Sequence, residues 1–438
     1  MKVAYFSPFN PIKSGISDFS EELVVNLVKH MDVDLFVDCQ RVTNREIASR
    51  FKIFPIESIY QEDIRKQYDF LLYHVGNHAG AHSKIVKTFF DFPGICELHD
   101  VSLHNFVAED TLVKWKWDEY IRIMEYCHGD EGKRRAIRFL EGQCPPPWEA
   151  NSMKYTVNKH IIDNATAVIV HSDFAKQMVQ GIRPEVPIVK IPLHTSDIIE
   201  DPALYKQECR KKLNIDLDDI VMGSFGFASA PKRIIQIIMA LKIYKKKNNT
   251  KKFKFYIVGE VKGIDVEGAC KELGLENEVV VTGYTDLEMF KKYMGACDFC
   301  FNLRYPTQGE TSASLHRMLG MGKPVVVTDN GTFREYPDEF VIKVGYGETE
   351  IEEICEAIEN LTVHCDLLQK GKHAVIYSMQ NYDLPLNAKR YKRFFEQLKT
   401  GTYRKEYADL LVDRFMLFHY NEDYIKSLMK KLDYMNLP

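Results

Sequence analysis

The amino-acid sequence predicts an α/β protein with two doubly wound parallel-sheet domains and a C-terminal helical tail. Short apolar runs recur along the chain and are continuous rather than alternating, as expected of strands buried on both faces. Amphipathic helical segments separate these runs, which favours parallel β–α–β units. The chain has 438 residues, of which 45% are hydrophobic, so each of two or three domains can have its own core.

The apolar runs place the strands in order. In the first half they predict six strands, at residues 3–6, 33–37, 70–73, 94–98, 167–170 and 188–191. In the second half they predict six more, at 220–225, 253–258, 278–281, 298–303, 324–327 and 340–344. One helix can be placed in detail, because Asp18 and Glu21 have capping-box spacing in front of an apolar helical stripe.

The polar stretch 192–219 separates the two halves. We therefore expect a first domain at 1–195 and a second at 205–380. Residues 381–438 are rich in aromatic residues and lysines, and they predict helices that cross back onto the first domain to bury their aromatic faces.

Composition limits the function. The formal net charge is −4, from 58 Lys and Arg against 62 Asp and Glu, which gives no overall reason to bind nucleic acid. Most of the ten cysteines lie in apolar runs, which indicates buried thiols in a cytoplasmic protein. No signal peptide and no membrane-spanning run is visible, so any membrane contact is expected to be peripheral. The nucleotide-binding patterns of nicotinamide dehydrogenases and P-loop NTPases are absent from the sequence.

Polar residues at predicted strand ends suggest a ligand site. A glycine-bearing turn leads into a helix expected to begin near Thr311, whose free N–H groups, with the Thr311 and Ser312 hydroxyls, favour a phosphate. Glu310 beside an anion site suggests contact with sugar or ribose hydroxyls. Gly15 lies in a tight turn where backbone can approach a ligand, and His99 follows a buried strand.

Several segments together carry a family resemblance. They are SGISDFSEEL (14–23), YHVGN (73–77), LHDxxLH (98–104), VIVHSDFAK (168–176), GSFGFxxxxKR (223–233), VTGY (281–284), GETS (309–312) and GKPVxVxDxGxxxE (322–335). This set resembles the donor-sugar motif and flanking segments of family 4 (group 1) glycosyltransferases, in their GETS-bearing branch. The resemblance implies the GT-B fold, which consists of two Rossmann-like domains.

The resemblance also implies an activity. It is the transfer of a hexose from a nucleoside diphosphate sugar to a hydroxyl of a glycan or lipid-linked acceptor, with retention of configuration. Neither metal nor cofactor is expected. Such enzymes act in the synthesis of bacterial surface polysaccharides and glycoconjugates. Two alternative hypotheses stay open: the protein is a non-hydrolysing nucleotide-sugar epimerase on the same fold, or a non-catalytic subunit that binds glycan or nucleotide sugar.

Particular residues match the family's functional positions. The resemblance implies that Lys232 grips the donor diphosphate, that His99 contacts the transferred sugar and that Tyr284 contacts the base. Gly15 is implied to face the diphosphate and the acceptor. Arg304 is a candidate for a second diphosphate cation, because a guanidinium matches phosphate oxygens in a bidentate manner. We therefore assign catalytic roles to His99, Lys232, Arg304 and Glu310.

The sequence departs from the family pattern at two positions. Phe227 stands where an arginine is expected, and Arg317 stands where a second glutamate is expected. The further candidates for acceptor or other contacts are Asn77, Asp100, Trp148 and Glu335.

The long insertion 101–160 is expected to set acceptor specificity. Its Lys114-Trp115-Lys116-Trp117 segment suggests either peripheral membrane contact or an ordinary packed helical insertion. His74, His78 and His82 are four residues apart, but two glycines in GNHAG argue against the rigid helix that a metal site with this spacing requires.

Overall fold

The computed structural model describes residues 1–150, 152–248, 251–364 and 366–403. Its two β-sheets are parallel throughout, one of seven strands and one of six. The first contains β1 Lys2–Phe6, β2 Asp32–Val37, β3 Ile53–Pro55, β4 Phe70–Val75, β5 Ile95–Leu98, β6 Ala167–Val170 and β7 Ile188–Lys190. The second contains β8 Ile220–Phe225, β9 Phe253–Val258, β10 Val279–Gly283, β11 Phe299–Asn302, β12 Val325–Thr328 and β13 Val341–Val344.

The strand order is 3-2-1-4-5-6-7 in the first sheet and 10-9-8-11-12-13 in the second. In the first half the helices are α1 Gly15–Leu27, α2 Arg45–Arg50, α3 Glu62–Arg65, α4 Ala79–Asp91, α5 His104–Thr111, α6 Trp117–Leu140, α7 Pro147–Ala150, α8 Lys159–Asn164 and α9 Asp173–Ile182. They continue with α10 Pro202–Leu213, α11 Ile234–Lys247, α12 Val266–Leu273, α13 Leu287–Ala296, α14 Ala313–Gly320, α15 Glu350–Glu359, α16 Leu367–Asn381 and α17 Leu384–Thr400. Among the described residues, no helix is long and apolar enough to cross a membrane.

All twelve predicted strands are present, and the fold class is confirmed. One strand was missed. β3 has three residues, ends in Pro55 and pairs only with β2 at the sheet edge, where proline is tolerated.

The predicted capping box was wrong. Helix α1 begins at Gly15, and its cap is Ser14, whose Oγ accepts a hydrogen bond of 3.2 Å from the Ile16 N–H. Asp18 lies in the first turn. Glu21 instead accepts hydrogen bonds from the backbone of Asn10 and from the Asn44 side chain, so local spacing identified the helix but not its start.

The last described helix, α17, lies against the first sheet. Tyr391, Phe394 and Phe395 are buried in the core that surrounds α1, and the Phe395 ring stacks on Phe70 with 5.2 Å between centroids. The remainder of the predicted tail, 404–438, lies outside the described residues.

The loops at the carboxyl ends of the two sheets meet. The Ser102 N–H donates to the Gln308 carbonyl at 2.8 Å, which joins the loop after β5 to the loop after β11. Gly309 in the second loop has φ of 71°, and a Cβ there would lie 2.6 Å from the Val101 Cβ. Only glycine fits this approach, so the two domains are in direct contact at these loops.

Candidate active site

Two buried cations lie at the carboxyl edge of the second sheet. Lys232 ends a 3-10 turn after β8, and its Nζ donates to the Phe225 carbonyl. Arg304 follows β11, the neighbour of β8 in the sheet, and its backbone N–H is fixed by Thr328 Oγ1 at 3.0 Å. Burial, and then the charge of Arg304, hold the pKa of Lys232 well below its usual range. The two cations are therefore close enough to repel each other.

Glu310 balances one of these charges. Its Oε1 lies 3.3 Å from Arg304 Nε, and its Oε2 accepts hydrogen bonds from Thr307 Oγ1 at 2.9 Å and from the Gln308 N–H at 2.7 Å. Within the described parts of the chain, Lys232 has no ion-pair partner. Glu310 is thus paired with Arg304, whereas Lys232 donates to a backbone carbonyl.

The predicted phosphate-binding helix is present but begins slightly later. Helix α14 starts at Ala313, two residues beyond the expected Thr311. Ser312 is its cap, and the Ser312 Oγ accepts from the Leu315 N–H at 3.4 Å. The Ser312 hydroxyl is thereby engaged with its own helix, and Thr311 lies in front of the cap.

On the first domain, Asp100 faces this site. Its Oδ2 accepts a 3.0 Å hydrogen bond from the Asn77 N–H, and Asn77 Oδ1 accepts from the Phe106 N–H at 2.8 Å. Burial, and then the charge of Glu310, raise the pKa of Asp100 to about 7. Gly15 begins α1, and a Cβ there would contact no atom within 4 Å, so Gly15 borders open space.

Both ring nitrogens of His99 are already engaged. Nε2 lies 3.0 Å from His74 Nδ1, and Nδ1 lies 3.2 Å from His171 Nε2. A sugar can contact a ring nitrogen of His99 only by replacing one of these partners. Burial, together with nearby histidine charges, lowers the pKa of His99 well below its usual range, so the ring is neutral at pH 7.

The three histidines spaced four apart do not form one cluster. His74 lies in β4, whereas α4 begins at Ala79 inside the GNHAG stretch, and His82 Nδ1 bonds to the His74 carbonyl at 3.0 Å. A different trio, His74, Glu97 and His99, has side-chain nitrogen and oxygen atoms within 4.8 Å of one another. Sequence analysis missed Glu97, although a lone carboxylate in a strand buried on both faces is a visible signal.

The other candidates are dispersed. Tyr284 is 73% exposed after β10, and Lys13 Nζ of the first domain lies 5.3 Å from its ring centroid. Trp148 packs against His104 and Phe139 within the insertion, with centroid distances of 5.3 and 5.1 Å.

Glu335 joins the two domains and also lines a cavity between them. Its carboxylate accepts hydrogen bonds from the Asp173 N–H at 3.0 Å and from the Phe174 N–H, at the start of α9. An interdomain cavity of 220 Å³ lies beside it, lined by His171 and Lys190 of the first domain and Arg390 of α17. The cavity lining does not include the two buried cations.

The two departures from the family motif have structural partners. Phe227 lies under a cation, because Lys262 Nζ is 3.7 Å from its ring centroid. Arg317 of α14 pairs with Asp197, and its Nη2 lies 2.6 Å from Glu22 Oε1 of α1. Glu22 and Asp197 were not predicted to belong to the cleft, and no local sequence pattern identifies them.

The geometry defines a class of protein: two Rossmann-like domains with a ligand cleft between the carboxyl ends of their sheets, which is the GT-B fold. Residues 205–368 match the family model described as glycosyl transferases group 1. The matched range covers the second sheet and most of its helices. No curated protein sequence matches the chain.

Solved structures of known proteins show the same architecture. Sucrose-phosphate synthase from Thermosynechococcus elongatus is 16% identical, with a TM-score of 0.63 over 92% of this chain and 100% of that chain. Anabaena HepE in complex with UDP and glucose is 15% identical, with a TM-score of 0.59 over 91% and 100%. WaaG, a glycosyltransferase of lipopolysaccharide biosynthesis, is 14% identical, with a TM-score of 0.55 over 88% and 98%. At these identities the likeness establishes the fold.

Proposed function

We propose that the protein is a retaining glycosyltransferase that moves a hexose from a nucleoside diphosphate sugar to an acceptor hydroxyl. The observation that carries this proposal is the charge balance of the cleft. Glu310 pairs with Arg304, and Asp100 ionises only as the pH passes about 7. Lys232 has no carboxylate partner among the described residues, so a charged Lys232 lacks a counter-ion. A buried cation without a counter-ion is unfavourable, so the site favours an anion. A diphosphate meets this need.

The same groups fit the chemistry of the reaction. When the bond between the anomeric carbon and the diphosphate oxygen breaks, negative charge develops on the leaving diphosphate. In the proposed reaction Lys232 and Arg304 stabilise that charge. The acceptor oxygen forms the new bond to the anomeric carbon and releases its proton. Since side chains supply the cations, we propose that no metal ion is required.

Carboxylates and the first domain complete the roles. Glu310 is held in place by Arg304 and by its own loop, so its carboxylate can orient sugar or ribose hydroxyls. Asp100 approaches from the first domain, next to His99, at the place expected for the transferred sugar. We assign donor binding to the second domain and acceptor choice to the first, with the insertion 101–160 as the specificity region.

The acceptor is proposed to be a glycan or a lipid-linked sugar, as in the synthesis of bacterial surface polysaccharides at the cytoplasmic side of a membrane. WaaG, which shares the fold, works in lipopolysaccharide biosynthesis. The exposed segment at the start of α6 supports a membrane-bound acceptor, because Trp115 and Trp117 are 80% and 50% exposed. Flotation with vesicles containing anionic lipid tests this point. We expect Trp115→Ser with Trp117→Ser to reduce flotation, and the exposed control Leu204→Ser to leave it unchanged.

Nucleotide binding tests the main proposal. UDP, GDP, ADP and CMP, and the common nucleotide sugars that contain them, are screened for an increase in the Tm of the protein. UDP is the first choice, because HepE was solved with it. We expect one nucleotide to shift the Tm and Lys232→Met to reduce the shift. Lys246→Met is the matched control, because Lys246 is an exposed lysine of α11, the helix that follows the Lys232 turn.

Turnover then separates the enzyme classes. A glycosyltransferase releases the nucleoside diphosphate slowly from the matching donor even without acceptor, whereas an epimerase converts the donor into its epimer. A non-catalytic subunit binds nucleotide and releases nothing. Absence of any Tm shift, or an equal shift in Lys232→Met and wild type, would contradict the assigned donor site.

A further inference from the structure

A row of buried polar groups runs through the first domain behind the cleft. It begins on α17, where the Tyr391 hydroxyl donates to Glu97 Oε1 at 2.6 Å. The other carboxyl oxygen, Glu97 Oε2, lies 3.5 Å from His74 Nε2. These last two atoms are fully buried, and neither has a hydrogen-bond partner. Unless one of them carries a proton, two acceptors face each other without water, which is unfavourable.

The row continues towards the cleft. His74 Nδ1 lies 3.0 Å from His99 Nε2, and His99 Nδ1 lies 3.2 Å from His171 Nε2. It ends where His171 Nδ1 meets the Ile191 carbonyl at 2.8 Å. Three imidazoles thus connect Glu97 to a backbone acceptor in a compact cluster, in which His171 Nε2 also lies 3.6 Å from Glu97 Oε1.

The carbonyl at the end fixes the direction of every bond. A carbonyl only accepts, so His171 Nδ1 carries the proton, and in a neutral ring its Nε2 then accepts. His99 must therefore donate from Nδ1 and accept at Nε2. His74 in turn must donate from Nδ1 and accept at Nε2. Among the described residues, the group placed to donate to His74 Nε2 is Glu97, 3.5 Å away, as a protonated carboxylic acid.

The pKa shifts of these groups agree with this direction of the hydrogen bonds. Burial lowers the pKa of His74 and His99 well below the usual range, and that of His171 to about 4. Burial raises the pKa of Glu97 to about 8, against the opposing effect of the Tyr391 hydrogen bond. All four groups are therefore uncharged at pH 7.

The other titratable groups that face the row are also uncharged. From β1, the Tyr5 ring lies against His74, and its hydroxyl donates to Ser20 Oγ at 3.0 Å. Burial, and then the charge of Glu97, raise the pKa of Tyr5 well above its usual range. Cys96 is the neighbour of Glu97 on β5, and burial raises its thiol pKa. From α4, His82 faces His74, and burial lowers its pKa to about 4. From the loop after β7, His194 lies near His99 and His171, and burial lowers its pKa.

We propose that Glu97 is a positioning residue for His99: by donating a hydrogen bond to His74, it fixes the tautomer and orientation of the His99 ring beside the cleft. The role of His99 towards a sugar rests on the proposed function, but the order of the hydrogen bonds does not. Ionisation of Glu97 removes its proton. If every hydrogen bond of the row then reversed its direction, His171 Nδ1 would face the Ile191 carbonyl without a proton. The ordered set of tautomers is therefore lost when Glu97 ionises.

The tautomers provide a test that does not depend on activity. Long-range ¹H–¹⁵N spectra of the histidine-labelled protein are assigned with single histidine-to-glutamine variants. At pH 7 we expect His74, His99 and His171 each to carry the proton on Nδ1. This pattern should change near pH 8 in wild type and persist in Glu97→Gln, whose amide donates to His74 and accepts from Tyr391. A proton on Nε2 of any of the three at pH 7 would overturn the proposal.

Activity provides a second test. In wild type, kcat should fall as the pH rises through about 8, where Glu97 ionises. Glu97→Gln should lack this alkaline fall, whereas Glu97→Leu should lower kcat roughly tenfold at all pH values, as loss of an orienting partner does elsewhere. An unchanged alkaline fall in Glu97→Gln would also overturn the proposal.

Two further measurements keep the outcomes distinct. Tyr391→Phe removes a hydrogen bond that lowers the Glu97 pKa, so the alkaline fall should move to higher pH even if Glu97→Leu does not fold. A stoichiometric metal ion bound by this group would overturn the proposal, because a ligating nitrogen cannot carry a proton. If no donor is turned over but the tautomers are as expected, the proposed function fails and the chain of hydrogen bonds stands.

Discussion

Replacing Glu22 should reveal how strongly the two domains are held together. Glu22 lies on α1 of the first domain, its side chain is 21% exposed, and its Oε1 pairs with Arg317 Nη2 of the second domain at 2.6 Å. Its Oε2 lies 3.4 Å from His194 Nε2. Burial by itself raises the pKa of Glu22, but the His194 hydrogen bond and the Arg317 charge outweigh it and lower the pKa to about 2.

The pKa shift of Glu22 sets the expected change in the free energy of unfolding. A fall from 4.5 to about 2 corresponds to about 3 kcal/mol, at ~1.4 kcal/mol for each pKa unit. Because the folded pKa lies below the unfolded one, this stabilisation is complete above pH 4.5 and is lost as the pH falls towards 2. Glu22→Gln should therefore lower the free energy of unfolding by about 3 kcal/mol at pH 7, and by progressively less below pH 4.5.

Urea unfolding at a series of pH values measures the effect. Two domains need not unfold in one step, so the comparison uses the first transition that the substitution moves. Glu46→Gln is the matched control, since Glu46 also pairs with an arginine, Arg50, but its side chain is 61% exposed. An exposed pair of this kind contributes at most about 0.5 kcal/mol. Equal losses in Glu22→Gln and Glu46→Gln would refute the reasoning and indicate that the link is open in solution.

Three further predictions concern the cleft. Nucleotide affinity should weaken between pH 6 and 8, because Asp100 gains a charge near Glu310 as the pH passes about 7, and Asp100→Asn should abolish this dependence in calorimetric titrations. Gly309→Ala should hinder closure, because its Cβ would lie 2.6 Å from that of Val101. An unchanged radius of gyration in X-ray scattering would contradict that expectation. Chelation with EDTA should leave the transfer rate unchanged, and restoration by added Mg²⁺ would refute metal independence.

The sequence predicted the fold well where a single physical signal dominated. Parallel strands buried on both faces are continuously apolar, so all twelve predicted strands are present. The edge strand β3 lacks that signal because it is short and ends in proline. The start of α1 was misplaced because both Ser14 and Asp18 are residue types that suit a cap, and Glu21 bonds to Asn10 outside the helix instead of closing a capping box.

The candidate site was predictable only in part. Lys232 and Arg304 follow β8 and β11, which are neighbours in the sheet, so topology alone brings their loops together. The pairs Glu22 with Arg317 and Glu97 with Tyr391 join residues 295 and 294 positions apart. Such contacts depend on how the domains and α17 pack, which no local pattern encodes.

Arg317 shows how the protein accommodates its departure from the family motif. At this position the side chain faces Glu22 and Asp197, two carboxylates from outside its own sheet. A glutamate there would be repelled by both, whereas an arginine satisfies both and ties α14 to α1. The residue expected to contact the donor has thus become part of the interdomain contact. In the GETS segment, Glu310 is then the carboxylate that still faces the buried cations. In the proposed function, the carboxylate contact to sugar or ribose hydroxyls is therefore assigned to Glu310.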